Sequence, residues 1–333
     1  MVFKIFGFVA SVCFATASAS ALEYTESEFE GRAILSAIPD EPVGLVYLFH
    51  GSGGSASFAT RLHTLVIAGR LHDLGYGLVA SQSADRDGTA SGSNDGQARW
   101  NIDDAGIDSN IDIRHLLALR EQLIDTTGVT ASTPVFVMGM SNGGAFSSLF
   151  GYVASANGVP VHAIANIEGG IPSASFPLFQ KRTPFPPYFL LSATMDGLVS
   201  STNQQRTAAR IKNRGTPVEV HVIEPLPMSV RSLMTPGGLD EKRAKKLHAY
   251  LVEAKLINSN GERLYRPGSV ITREMMWDLL QRFRESGFSR ADMSSVVLVW
   301  AGHAMRSDFV DEQIAFFEKY RSNAGGTGPG IVR

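Results

Sequence analysis

The chain has 333 residues, 44% of them hydrophobic and 19% charged, with a formal net charge of −2. That apolar mass suffices for the core of one large domain, and the near-neutral, interspersed charge excludes the basic footprint of a nucleic-acid-binding protein. A single cysteine, Cys13, excludes an internal disulfide framework.

Residues 1–21 stand apart. One cation, Lys4, precedes an apolar run over 5–15, and small residues from Ala17 to Ala21 follow. This is the layout of a secretory signal peptide cleaved after Ala21 or Ala19. A membrane anchor is the competing reading, but the apolar run is shorter than the ~20 residues of a membrane span. Cleavage removes Cys13, whose neighbour Val12 does not fit a lipoprotein cleavage site, and leaves no stable membrane anchor. The expected location is periplasmic or secreted, and 22–333 form the mature domain.

Residues 29–37 alternate loosely, as an edge strand does. Residues 43–49 are a continuous apolar run, the pattern of a strand buried on both faces, and end in His50-Gly51-Ser52-Gly53-Gly54. Helical periodicity over 58–74, a short strand over 76–80 and a polar loop over 82–99 follow, then a helix over 107–124. Strands are expected at 159–167, 187–193 and 218–223, with a helix at 202–214. This alternation predicts an α/β fold with a doubly wound, mostly parallel sheet, whose functional groups lie on loops beyond the carboxyl ends of the strands. Residues 225–294 break the rhythm. They read as a helical cap or lid insertion, with helices at 239–256 and 272–286 around a turn between short strands at 257–265. A strand at 296–300, a closing helix at 309–320 and a flexible glycine-rich tail at 322–333 complete the chain.

The stretch 134–144 organises the rest. An apolar run ends at Gly139, Ser141 follows, and Gly143 and Gly144 open a helix. This is G-x-S-x-G in strand–turn–helix context, as a nucleophile elbow requires, because the tight turn leaves no room for side chains beside the serine. A glycine-rich turn with an incidental serine is the alternative. A serine hydroxyl needs a base to take its proton, and in doubly wound hydrolases the order is Ser, acid, His. Asp196 follows the strand at 187–193 in an Asp-Gly turn and is the expected acid. Glu168, one strand earlier, is the other candidate. His303, in Gly302-His303-Ala304, is the expected base. His162 and His221 fall within strands and His248 on a charged helix, away from carboxyl-end loops. The oxyanion donors are expected from Asn142, after the nucleophile, and from Gly51 or Ser52. His50 comes too early for the base and reads as a brace for its loop. A phosphate cradle there would need the Lys-Ser/Thr ending of a P-loop, which is missing.

These motifs resemble the α/β-hydrolase superfamily, and within it the secreted polyhydroxybutyrate depolymerase and feruloyl esterase-like family. The likeness rests on His50-Gly51-Ser52-Gly53-Gly54, Gly139-Met140-Ser141-Asn142-Gly143-Gly144, Asp196-Gly197-Leu198-Val199 and Gly302-His303, with Trp100-Asn101 and Asp112 also similar. It implies hydrolysis of small-molecule or polymeric carboxylic esters by Ser141, His303 and Asp196 through an acyl-enzyme, with no metal or organic cofactor. A serine peptidase on the same fold, or a non-catalytic binding protein of that fold, are the alternatives.

Overall fold

A computed structural model describes residues 22–86, 95–172 and 185–321. The expected signal peptide and the expected tail lie outside these residues.

The chain enters through a hairpin of β1 (Thr25–Phe29) and β2 (Arg32–Ala37). Glu30 and Gly31 make its two-residue turn, both at positive φ, which suits the twist of the paired strands. The single edge strand expected over 29–37 is thus the second arm of a hairpin. Next come β3 (Gly44–Phe49), α1 (Leu62–Asp73), β4 (Tyr76–Ser81), α2 (Ile111–Thr126), β5 (Val135–Met140), α3 (Asn142–Ala156) and β6 (Val161–Ile167). β7 (Tyr188–Ala193), α4 (Ser201–Lys212) and β8 (Val218–Ile223) follow. Among the described residues the sheet has eight strands in the order β1-β2-β4-β3-β5-β6-β7-β8. β2 runs antiparallel to β1 and β4, and the remaining pairings are parallel. This is the doubly wound architecture that the alternation predicts.

Both faces of the sheet are covered, and the alternation within each strand sorts its side chains. Leu45, Tyr47 and Phe49 of β3 and Val135 and Val137 of β5 pack with Leu116 and Leu119 of α2 and Phe146 and Phe150 of α3. Val46, Leu48, Phe136 and Met138 turn to the other face, against Ile67 and Leu71 of α1 and Phe316 and Phe317 of the last helix. Two-sided burial explains why the inner strands read as continuous apolar runs.

After β8 come α5 (Val230–Met234), α6 (Glu241–Glu253), α7 (Arg273–Glu285), α8 (Arg290–Val299) and α9 (Val310–Arg321). Residues 257–265 contain one isolated bridge, Ile257 to Arg263, rather than two strands. The strand expected at 296–300 is instead the end of α8. Ser289 and Asp292 form a capping box, each side chain holding the other's backbone N–H, and this starts a helix that carries through the apolar run. Val296, Val299 and Trp300 pack into a core of their own with Leu247 and Leu251 of α6 and Leu279 and Phe283 of α7. A short apolar run buried on all sides has no periodicity to separate strand from helix.

Candidate functional site

β5 ends at Met140 and α3 begins at Asn142, so Ser141 alone makes the reversal, at φ 61° and ψ −122°. A non-glycine residue held there stores strain of about 1–3 kcal/mol. The turn is clamped on both sides. Ser141 donates its N–H to the Ile167 carbonyl at 2.9 Å, and its carbonyl accepts from Ala145 at 2.9 Å. A Cβ on Gly139 would collide with the Gly143 carbonyl, and one on Gly143 with the Phe49 carbonyl. The glycines therefore permit close approach of β5, α3 and the end of β3.

The loop after β3 lies against the serine: a Cβ on Gly51 would stand 3.2 Å from Ser141 Cβ. Asn142 is the first residue of α3, so its N–H has no carbonyl within the helix to donate to. Among the described residues, the N–H groups of Ser52 and Asn142 reach no backbone or side-chain acceptor. The Asn142 side chain is occupied, accepting from Trp100 N–H at 2.8 Å and donating to the Trp100 carbonyl at 3.2 Å. Trp100 Nε1 in turn donates to the His50 carbonyl at 3.0 Å. One indole thus ties the 50–54 loop to the start of α3, a role that the sequence motif alone does not reveal.

His50 braces its loop as expected. Ser83 N–H donates to Nε2 at 3.2 Å, so Nδ1 carries the proton and donates to the Gly51 carbonyl at 2.8 Å. Burial pushes its pKa down from 6.5 to about 4, against an opposing contribution from the Gly51 hydrogen bond and with a further lowering from Arg61. The folded state therefore prefers the neutral ring. Below pH 6.5 the unfolded chain binds more protons, so this contribution is complete above pH 6.5 and is lost as pH falls toward 4. Urea unfolding of a His50→Gln variant is expected to show a pH 7 to pH 4 stability loss smaller than that of the unsubstituted protein by about 3 kcal/mol. An unchanged loss would rule out the buried neutral ring.

Asp196 follows β7 and is buried. Its Oδ1 accepts from Leu198 N–H at 2.7 Å and Val199 N–H at 3.0 Å, which fixes the carboxylate, and Oδ2 lies 2.7 Å from His303 Nδ1. The turn is held between two segments: Met195 N–H donates to the Ala301 carbonyl at 3.1 Å, and Ile271 N–H to the Met195 carbonyl at 2.6 Å. The 225–294 segment thus touches the Asp196 turn directly. His303 sits between α8 and α9, not after a strand, and reaches Asp196 because Ala301 is tied to Met195. Burial alone would lower the His303 pKa. The hydrogen bond to Asp196 and the charges of Glu168 and Asp196 outweigh it and raise the pKa above 6.5. With Nδ1–H given to Asp196, Nε2 is the nitrogen left to take a proton.

Glu168 stands at the end of β6, fully buried, at φ 50°. Its Oε2 accepts from Ala304 N–H at 2.7 Å and lies 3.6 Å from His303 Nδ1. Ile167, just before it, accepts from Ser141, so the serine turn and the histidine turn meet at this point of the sheet. Glu168, Asp196 and His303 are also donor types that a divalent ion accepts. The 2.7 Å contact, however, is a hydrogen-bond spacing, shorter than the ~3.3 Å between ligand atoms of a tetrahedral zinc site with ~2 Å bonds. The other histidines face elsewhere: His162 Nδ1 contacts the Tyr320 carbonyl and His221 pairs with Glu219.

No protein-family model matches the chain, and no curated protein matches its sequence. Among solved structures, it is similar to esterase PE8 at 18% identity, over 66% of this chain and 96% of that one, with a TM-score of 0.44. It is similar to a Pyrobaculum calidifontis esterase at 14% identity, over 60% and 75% of the two chains, with a TM-score of 0.43. It is also similar to Est1E from Butyrivibrio proteoclasticus, solved with ferulic acid bound, at 12% identity over 60% and 88%, with a TM-score of 0.38. These are likenesses of chain path, at identities too low to carry a residue's role.

Proposed function

We propose that the chain is a serine hydrolase that cleaves carboxylic esters. The observation that carries this reading is a serine held at φ 61° on a strand–helix apex, on the same rim of the sheet as an Asp196–His303 pair 2.7 Å apart. Ser141 Oγ attacks the ester carbonyl as His303 Nε2 takes its proton. The N–H groups of Asn142 and of Ser52 or Gly51 receive the oxyanion. The tetrahedral intermediate collapses, the leaving alcohol takes the proton from His303, and an acyl-Ser141 ester remains. Water, deprotonated by His303, then releases the acid and restores the serine. Asp196 holds the Nδ1–H tautomer throughout. The substrate class we favour is a polyhydroxyalkanoate, feruloyl or other acyl ester. We place the enzyme in the periplasm or medium after removal of 1–21, and assign 225–294 a role in acyl selection from its contact with the acid turn.

The test is a panel of p-nitrophenyl acyl esters, aryl esters and aminoacyl amides, together with a fluorophosphonate probe. Ester turnover and labelling at Ser141 are the expected results. Amide cleavage exceeding ester cleavage would redirect the reading to a peptidase, and neither turnover nor labelling would end it.

A further inference from the structure

Asp196 already supplies what His303 Nδ1 needs in the proposed reaction, yet a second carboxyl stands 3.6 Å from the same atom. Glu168 is fully buried and held at a positive φ, a strained backbone position for a non-glycine residue. Its Oε2 is occupied by Ala304 N–H, and its Oε1 has no hydrogen-bond partner among the described residues. A lone buried carboxyl oxygen is costly. If the side chain served only to hold Ala304, a glutamine carbonyl would do so without placing an ionisable group in the core.

We propose that Glu168 is a positioning residue for His303: a second carboxyl that shares Nδ1 with Asp196, supports the imidazolium formed during turnover, and can hold the ring when Asp196 is absent. The inference rests on the hydrolase reading for its kinetic part. The groups facing Glu168 are His303 and the Ala304 N–H from the loop before α9, Asp196 from the loop after β7, and Arg306, whose guanidinium is itself paired with Asp308. Burial, aided by the Asp196 charge, pushes Glu168 up to about 8, against the pull of His303, Arg306 and the Ala304 N–H. The charge on each of Glu168 and His303 therefore bears on the protonation of the other, and their titrations are coupled. A negative Glu168 favours the imidazolium, and a protonated one does not.

Glu168→Gln removes the charge and keeps an acceptor for Ala304. Without the coupling, the His303 titration should become a single step and finish at lower pH. The acidic limb of kcat/KM should therefore move down by at least half a pH unit. A ¹⁵N NMR titration of the His303 imidazole reads the same shift without reference to turnover. Glu168→Asp, which keeps the charge, should hold the limb near its original position. In the Asp196→Asn background, adding Glu168→Gln should cut the residual kcat at least tenfold further, against a loss of a few-fold when Asp196 is present. Unmoved limbs in both kinetics and NMR, with a double variant equal to Asp196→Asn, would make Glu168 a structural anchor and overturn the proposal. If Ser141 proves unreactive but the NMR shift appears, the hydrolase reading fails while the Glu168–His303 coupling stands. Should Glu168→Gln not fold, the Asp196→Asn and Asp196→Asn/Glu168→Asp pair still decides. Pulling the remaining carboxyl back from Nδ1 should then lower residual kcat several-fold, and no change would reject the shared role.

Discussion

Ser141→Ala is expected to lower ester kcat by about 10⁴–10⁶-fold and to abolish fluorophosphonate labelling. The size follows from the chemistry. In the proposed mechanism the hydroxyl forms the covalent intermediate, and without it only binding and oxyanion stabilisation are left to assist direct attack by water. The fold should be untouched, because the hydrogen bonds at Ser141 run through its backbone N–H and carbonyl. A companion substitution separates strain from chemistry. At φ 61° a glycine relaxes where serine and alanine do not. Ser141→Gly should therefore be as inactive as the alanine variant but more resistant to urea, by about 1 kcal/mol. Alanine activity within tenfold of the unsubstituted protein would remove Ser141 from the mechanism.

Asp112→Ala is expected to cost about 3–5 kcal/mol of folding free energy. Asp112 sits in the first turn of α2, fully buried, where Asn110 caps the helix. Its Oδ1 accepts from Arg32 Nη1 at 2.9 Å and from Ala84 N–H at 2.8 Å, and its Oδ2 from Asn101 N–H at 2.8 Å. One carboxylate thus joins β2, the segment leaving β4, and the approach to α2 beside Trp100. Truncation leaves the Arg32 guanidinium, itself almost wholly buried, with the Ile111 carbonyl as its hydrogen-bond acceptor among the described residues, and orphans two amide groups. Because Trp100 links Asn142 to His50, the loss should reach the oxyanion side of the site. We expect a melting temperature lower by more than about 6 °C and reduced ester turnover at temperatures where the variant is still folded. A variant within 1 kcal/mol of the unsubstituted protein by urea unfolding would show that the surrounding loops find other partners.

The sequence by itself determined the features whose causes are local. Residues 43–49 and 134–140 were legible as short buried segments, because each is an apolar run that leads into a glycine-rich turn. The Gly139-x-Ser141-x-Gly143 spacing demanded a one-residue reversal, because only glycine fits where β5, α3 and the end of β3 come together. Asp196 and His303 were legible as loop residues from their positions after apolar segments.

Only the tertiary structure decided what depends on residues distant in sequence. The run at 296–300 is buried among α6 and α7, and a short apolar run buried on every side carries no period of its own to separate strand from helix. Asp112 holds groups from 80 and 28 positions before it and 11 before it, contacts that no local pattern encodes. The sequence left Asp196 and Glu168 as alternative acids. The parallel order β5-β6-β7 sets their carboxyl ends side by side, so both carboxyls face the same ring nitrogen, one at 2.7 Å and the other at 3.6 Å. Local patterning fixes which way each segment folds. Strand order fixes which charges meet, and buried charges interact strongly only over the few ångströms that the assembled sheet imposes.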